Sequence, residues 1–451
     1  MKKLTSILKN KEIMNRIMFT ILILFIFRIG CQITVPGATI QSEELNTYLS
    51  SNNALSLMNI LGGGTLQTFS IFALGVSPYI TAQIIVQLLA TDVLPALAEL
   101  KRQGQYGRKK MEMATRYLTL MLGAVQAYGI IKTMESSDLV SFTVGSQPWL
   151  TYLYVVIVML AGTMTVMWLG DRISVKGIGN GISMIIFAGI VSSLPSQIST
   201  AFQRWVVQAS GTGDAAQIAG IFSFLLYIFS FLLIIAFVTF IELSKRKIPV
   251  QHSGKSGGQT QSMARASFLP IKINSAGVIP VIFASSIMMA PSVVVAFLGA
   301  DTEAGWLNIF NSSKLTDMGG WYMPWGLIIY VALTIAFTFF YANLQIDPQQ
   351  LAENFQKNGS YIPGIRPGLE TERYVRKVLN RVTFIGAMAL AFIAALPAVL
   401  TLTVFQDYPS LALGGTGLII VVGVALELNS QIDGLLAGKS FDEVVASGGQ
   451  G

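Results

Sequence analysis

The sequence has few charged residues. Asp, Glu, Lys and Arg together make up only 12% of its 451 residues, whereas a soluble domain carries roughly 25%. Hydrophobic residues make up 53%. This composition excludes an ordinary soluble protein and predicts an integral membrane protein.

Cysteine and histidine are almost absent, with one of each, Cys31 and His252. A single cysteine excludes an internal disulfide, and the two residues are too few for a His/Cys metal site. A Ser-His-Asp triad would need His252, yet no nucleophile-elbow motif accompanies it. No Walker motif is present either, so ATP hydrolysis through a P-loop is excluded. We therefore predict no enzyme activity, no cofactor and no metal site.

Long apolar segments are abundant, and a membrane-spanning helix needs about 20 mostly apolar residues. The first segment follows a basic start, "MKKLTSILKNKEIMNR". It is longer than the apolar region of a signal peptide and has no small-residue cleavage site after it, so we predict a retained helix. Ten segments qualify as spans: 17–35, 71–94, 117–133, 150–170, 178–195, 218–242, 273–299, 325–346, 382–405 and 411–429.

Basic residues alternate between the connecting loops. Most of the 30 Lys and Arg residues lie in the N-terminus 1–16, in the loops after the even-numbered spans and in the tail 430–451. The positive-inside rule therefore places both termini in the cytoplasm. Two of the cytoplasmic loops, 244–272 and 347–381, are long for a compact protein, and loops of that length are usually functional.

Ten spans divide into two halves of five, 17–195 and 218–429, joined by an external loop, 196–217. An odd number of spans per half gives the halves opposite orientations, the inverted-repeat plan of many transport proteins. The second span of each half carries Gly-Val-x-Pro, at Gly75–Pro78 and Gly277–Pro280. Proline kinks a helix and glycine permits close packing, so the pattern predicts paired kinked helices beside a transport pathway.

Three functions remain open on the residues alone. An ion-coupled solute carrier usually buries carboxylates near the middle of the membrane, but Asp92, Glu242, Asp347 and Glu427 all lie at span ends. Arg28 is the only clear charge inside a span, and it either snorkels or pairs with a carbonyl. A pathway lined by Ile, Val, Ser, Thr, Gln and Asn suits a conduit for varied cargo. A scaffold without a pore is the third hypothesis.

The stretch "NNALSLMNILGGG" (52–64) lies between the first two spans. A helix from 53 to 61 reaches less than half of the bilayer core, at about 1.5 Å per residue. Gly62, Gly63 and Gly64 then end it. Such a segment can only enter the membrane from one side, sheltered by protein or by a wet cavity.

Seven stretches along the whole chain resemble the SecY family, the channel subunits of the bacterial Sec protein translocon. They are "FRIG" (27–30), "IFALGVSPYITAQIIVQLL" (71–89), "GRKK" with "TRY" (107–117), "MWLGDRISVKGIGNGISMIIFAGIV" (167–191), "LPIKINSAGVIPVIFASSI" (269–287), "YIPGIRPG" (361–368) and "GGTGLIIVV" (414–422).

The resemblance implies an all-α polytopic fold, with ten transmembrane helices in two inverted five-helix halves and a re-entrant plug helix at about 53–64. It implies an hourglass channel for unfolded polypeptide, narrowed by a ring of branched apolar side chains. The matched ring positions are Val76, Ile80, Ile182, Ile186, Ile282 and Ile420. The matched plug and hinge positions are Leu57, Ile60, Leu61, Gly62, Gly63 and Gly64.

The second and seventh spans would form a lateral gate through which signal sequences and membrane helices leave. Its matched residues are Gly75, Pro78, Gln87, Asn274, Gly277 and Pro280. The cytoplasmic loops would dock the motor ATPase SecA or the ribosome through Lys245, Arg246, Lys357 and Arg366. The loop tip "QHSGKSGGQTQSMAR" lacks the basic cluster of many family members, so no residue of this tip is assigned.

The same resemblance implies SecE and SecG-like small membrane subunits as partners, together with nascent polypeptides and membrane lipid. It places the protein in the bacterial plasma membrane and implies no direct DNA binding.

Overall fold

The structure is a computed structural model and consists mainly of packed helices. It describes residues 10–448 apart from 42–43, 46–47, 50–54, 56–57, 60–61, 91–94, 143–147, 208–213, 253–266, 298–304, 311–315, 318–321 and 404–414. The predicted plug residues Leu57, Ile60 and Leu61 lie outside the described residues.

Among the described residues, ten helices overlap the ten predicted spans, and two short helices lie between them, Pro95–Arg102 and Pro348–Lys357. In chain order the twelve are α1 (Lys11–Gly30), α2 (Ser77–Leu89), α3 (Pro95–Arg102), α4 (Gln105–Ser136), α5 (Pro148–Lys176), α6 (Gly181–Phe202), α7 (Asp214–Leu243), α8 (Ile279–Phe297), α9 (Trp325–Gln345), α10 (Pro348–Lys357), α11 (Leu369–Thr403) and α12 (Gly415–Gly448).

Seven helices of the described part are long and apolar enough to cross a membrane by length and composition. The apolar helix α2 is shorter, and with 13 residues it reaches only about 20 Å at 1.5 Å per residue. Turns at residues 71–76 precede α2. Their backbone is paired inside the protein, for example from Ile71 N to Ile33 O over 3.0 Å. The count of ten spans stays a prediction.

The predicted proline kinks in the second and seventh spans are wrong. Pro78 and Pro280 are each the second residue of a helix, α2 and α8, where a proline removes no helical hydrogen bond. Gly75 and Gly277 precede these helices with φ of 54° and 66°, a left-handed conformation that glycine adopts without strain. The repeated Gly-Val-x-Pro motif therefore starts a helix in each half.

Two predicted boundaries also differ from the structure. Helix α6 extends to Phe202 and continues as a π-helix, Gln203–Val207, so the predicted loop 196–217 begins inside a helix. Helix α12 continues through the predicted tail to Gly448. In both places the hydropathy falls before the helix ends, because its last turns contain polar residues such as Ser, Thr and Gln. These residues keep the helical backbone hydrogen bonds, so the helix continues beyond the apolar segment.

Small sheets lie in the loops that connect the helices. One pairs β1 (Ala38–Ile40) with β2 (Val140–Phe142), and another pairs β5 (Thr316–Asp317) with β6 (Tyr322–Met323). A three-stranded antiparallel sheet has the order β4-β3-β7, with strands Ser267–Lys272, Lys245–His252 and Ser360–Tyr361. It joins the two long loops 244–272 and 347–381 into one unit.

The core consists of separate apolar clusters. One joins α4 and α5 to the segment before α2 and contains Leu66, Phe69 and Ile131. A second lies among α7, α8, α11 and α12, around Tyr227, Val281 and Leu390. A third contains residues of both halves, and it holds the predicted ring.

Candidate functional site: an apolar constriction and its seal

The six predicted ring residues come together in one apolar cluster. Val76, Ile80, Ile186 and Ile420 are core members with 2%, 7%, 3% and 3% of their surface exposed, and Ile182 and Ile282 pack against them partly buried. The residues come from α2, α6, α8 and α12, and therefore from both halves of the chain. We call this set of six the ring.

Helical spacing and a capping residue position the ring side chains. Ile182 and Ile186 are four residues apart and lie on one face of α6. Val76 is the cap residue that precedes α2, and its carbonyl oxygen accepts a hydrogen bond from Ile80 N (3.0 Å) one turn later. The α6 start is fixed by Asn180, whose Oδ1 accepts hydrogen bonds from Ile182 N (3.1 Å) and from Ser183 N (3.4 Å). Such a cap stabilises a helix start by about 1 kcal/mol.

The glycine triplet lies beside the ring. Gly63 and Gly64 have φ of 78° and 85°. Asn59 organises the turn that contains them: its Oδ1 accepts hydrogen bonds from Leu66 N (3.1 Å) and Gln67 N (3.2 Å). Its carbonyl oxygen also accepts one from Gly64 N (2.8 Å). The backbone is thus held in a defined turn by a side chain that sequence reasoning missed.

The triplet packs directly against helix backbones. A Cβ atom on Gly189 of α6 would lie 2.9 Å from Gly63 Cα, and one on Gly75 would lie 3.1 Å from Gly62 Cα. A side chain at Gly189 would force the two backbones apart, and one at Gly75 would be tight and strained by the left-handed φ of 54°. Gly75 directly precedes the ring residue Val76, and Gly189 follows Ile186 by about one helical turn. We call these contacts of Gly62–Gly64 with Gly75 and Gly189 the glycine seat.

The predicted gate amides do not pair with each other. Asn274 Nδ2 donates to a carboxylate oxygen of Glu242 in α7 and to Gly277 O (3.1 Å), while its Oδ1 has no partner among the described residues. The Oε1 atom of Gln87 is likewise buried and without a partner in that part of the chain. Asn274 therefore ties α7 to the turn before α8, an arrangement that the sequence did not predict.

The predicted docking residues lie on the unit built from the two long loops. Lys245 and Arg246 are exposed on β3, and Lys357 is exposed at the end of α10. Arg366 is exposed between Gly364 and Gly368, which have φ of 82° and 106°. The Arg366 carbonyl oxygen accepts a hydrogen bond from Thr371 Oγ1 (2.9 Å). Buried Ile248, Ile271, Ile362, Val375 and Leu379 hold the unit together.

These features define a multi-pass membrane protein with an apolar cluster to which both halves of the chain contribute. The family model described as SecY matches residues 70–429. The chain is 41% identical to the protein translocase subunit SecY of Mycoplasma capricolum, over 98% of this chain and 91% of that protein. It is 42% identical to the same subunit of Streptococcus gordonii, over 98% of this chain and 97% of that protein. The chain belongs to the SecY family.

Solved structures agree in fold. One is described as "The structure of a protein conducting channel", with a TM-score of 0.64, 19% identity, and coverage of 94% of this chain and 92% of that one. Another concerns the plug domain of the SecY protein, described as stabilising the closed channel (TM-score 0.62, 18% identity, 94% and 92% covered). A third is Sec61 in the canine ribosome-channel complex (0.61, 17%, 94% and 92%). They confirm the predicted all-α polytopic fold.

Proposed function

We propose that this chain is the pore-forming subunit of a preprotein translocase, which conducts unfolded secretory polypeptides across the bacterial plasma membrane. The observation that carries the proposal is the ring: six branched apolar side chains from four helices of both halves meet in one cluster. Family membership supports it, because the related proteins are translocase subunits.

The ring would act as a seal that stretches. A narrow apolar constriction dewets and so resists the passage of ions. Branched aliphatic side chains form no specific bond with cargo, so an extended polypeptide can displace them and they can close around it. The plug segment, 53–64, would add a second seal next to the ring, resting on the glycine seat.

Sideways release would occur between α2 and α8, which are neighbours in the fold. Each is preceded by a left-handed glycine and has a proline in its first turn. Gln87 lies on α2 and Asn274 in the turn before α8, and the amide oxygens of both are buried without a partner among the described residues. Opening the gate therefore breaks no hydrogen bond between these two amides.

The loop unit would dock partners on the cytoplasmic side, where both termini also lie. Its exposed Lys245, Arg246, Lys357 and Arg366 fit carboxylates of a motor such as SecA or phosphates of a ribosome. A ribosome partner is supported by the likeness to Sec61 in a ribosome-channel complex. Small SecE and SecG-like subunits and membrane lipid would contact the outer helix faces. The chain itself would catalyse no reaction and bind no DNA.

The solute-carrier alternative has no supporting observation. Within the described part of the chain, the cluster around the ring is apolar, and the partly buried Glu242 lies at the end of α7 with Asn274. A carrier would show solute uptake into proteoliposomes driven by an ion gradient, and we expect none.

Depletion of the protein in cells tests the proposal. Secretory precursors should then accumulate uncleaved in the cytoplasm, as detected by pulse labelling and immunoprecipitation. A strain that re-expresses the wild-type chain is the control. Normal export during depletion would refute the proposed function.

A further inference from the structure

Arg28 is a charged residue in an apolar helix. It is the third residue from the end of α1, between Phe27 and Ile29. A guanidinium at membrane depth is costly unless it has a partner, so such residues usually have a function. In the described part of the chain, no carboxylate lies within ion-pair distance of Arg28.

The partner is a backbone carbonyl of the glycine triplet. Arg28 Nη1 donates a hydrogen bond of 2.6 Å to Gly63 O. A bond from a charged donor is shorter and about twice as strong as a neutral one. Gly63 also meets α6: a Cβ atom on Gly63 would lie 2.7 Å from Gly189 Cα and 3.4 Å from Arg28 Nη1. The Gly63 backbone is therefore in close contact with both Arg28 and Gly189.

These contacts connect the glycine triplet to the helices that carry the ring. Gly189 lies on α6 about one turn from Ile186, and Gly62 contacts Gly75 next to Val76. Any outward movement of the triplet must therefore break the bond from Arg28. No other side chain of the described residues donates to Gly62, Gly63 or Gly64 among the observed hydrogen bonds.

We propose that Arg28 is a positioning residue that holds the glycine triplet Gly62–Gly64 in its closed position by its hydrogen bond to Gly63. The inference rests on the proposed channel function, and it assigns a role to the charge that the sequence left unexplained. A charge-assisted bond suits this role, because it holds one carbonyl firmly and is lost as soon as that carbonyl moves away. Removing it should raise the open-to-closed ratio about ten- to a hundred-fold.

The test measures the exposure of a cysteine placed in the turn. Thr65 is fully buried, and Thr65→Cys is nearly isosteric. With Cys31→Ser in the background, the labelling rate of the new thiol by a small water-soluble thiosulfonate reports how often the turn opens. We compare Arg28→Gln with Arg16→Gln, a matched change in the same helix at an arginine whose side chain pairs with exposed Glu12 (3.3 Å). Ion conductance of each variant in planar bilayers is measured in parallel.

We expect labelling and resting conductance to rise about ten- to a hundred-fold in Arg28→Gln and to stay unchanged in Arg16→Gln. Arg28→Lys should restore most of the protection, since it retains a charged donor. If Arg28→Gln fails to fold, Arg28→Met replaces it in the comparison, because an apolar side chain costs little free energy at this depth in the membrane. Unchanged labelling in Arg28→Gln or Arg28→Met would overturn the proposal. Faster labelling with unchanged ion conductance would support the role of Arg28 in holding the triplet, but would refute the role of this segment in sealing the channel.

Discussion

The contact between Gly189 and the glycine triplet gives a prediction with a magnitude. In Gly189→Ala the new Cβ atom would lie 2.9 Å from Gly63 Cα and 3.0 Å from Gly63 N, whereas ordinary contacts begin at 3.4 Å. The two backbones must therefore separate by about 0.5 Å, and neither is a flexible side chain that could rotate away. The shift also moves the Gly63 backbone, whose carbonyl oxygen accepts the 2.6 Å hydrogen bond from Arg28.

Inserting a methyl group into such a tight contact costs about 1–3 kcal/mol. The closed state bears this cost, whereas a state with the triplet withdrawn does not. The open-to-closed ratio should therefore rise about five- to 150-fold, since each 1.4 kcal/mol is tenfold. Purified channel in a planar bilayer, without cargo or motor, should show this increase as resting ion conductance.

Gly434→Ala is the matched control, because Gly434 lies in α12 and a Cβ atom there meets nothing within 4 Å. It should leave the conductance unchanged. If Gly189→Ala conducts no more than Gly434→Ala, the triplet does not seal the channel at this contact, and the reasoning from the glycine seat fails.

Three further predictions follow from the ring, the plug segment and the docking unit. Replacing Ile80, Ile186 and Ile282 together by glycine should make the channel leak ions in bilayers, because the apolar constriction is widened. The control replaces three exposed isoleucines by glycine and should give no leak. These control positions are Ile21, Ile157 and Ile328. Deleting 54–63 should raise the ion leak while export assayed in membrane vesicles survives, since the ring still seals in part; an unchanged leak would contradict the plug assignment. Arg366→Glu should weaken binding of the motor or ribosome about five- to 150-fold in a titration, because a charge-assisted contact is lost. Arg366→Lys should lose less affinity, since it keeps the positive charge. Equal binding by both variants would show that Arg366 is not part of the interface.

The sequence predicted the course of the helices well, because apolar runs reflect the membrane directly. The helix starts were harder to predict. Pro78 and Pro280 each lie inside an apolar run, so hydropathy alone indicates a kinked helix. Only the turns before α2 and α8, set by Gly75 and Gly277, make the prolines first-turn residues.

The ring positions were predictable from motifs and not from chemistry. An isoleucine such as Ile186 has the same local pattern as one that faces lipid, such as Ile157, which is 55% exposed. Motif resemblance selected Ile186 among many, and the structure brings the selected residues together. The tertiary role of a single isoleucine depends on helices far away in sequence.

The partner of Arg28 could not be predicted from the sequence. Gly63 is 35 residues away, and the hydrogen bond depends on the turn that Asn59 holds. Asn274 shows the same limit. Its bond to Glu242 is set by how α7 packs beside the turn before α8, and the motif indicated a contact between gate helices instead.

The central claim, that polypeptide crosses through the ring, can be tested by cross-linking. In a Cys31→Ser background, Ile186→Cys is compared with Ile157→Cys, which replaces an exposed isoleucine of α5. A secretory protein with one cysteine is arrested halfway through the channel in membrane vesicles that contain the motor, and disulfide formation is measured. The account predicts a cross-link to the cysteine at position 186 and none to the one at position 157. Equal cross-linking at both positions, or none at 186, would contradict a pathway through the ring.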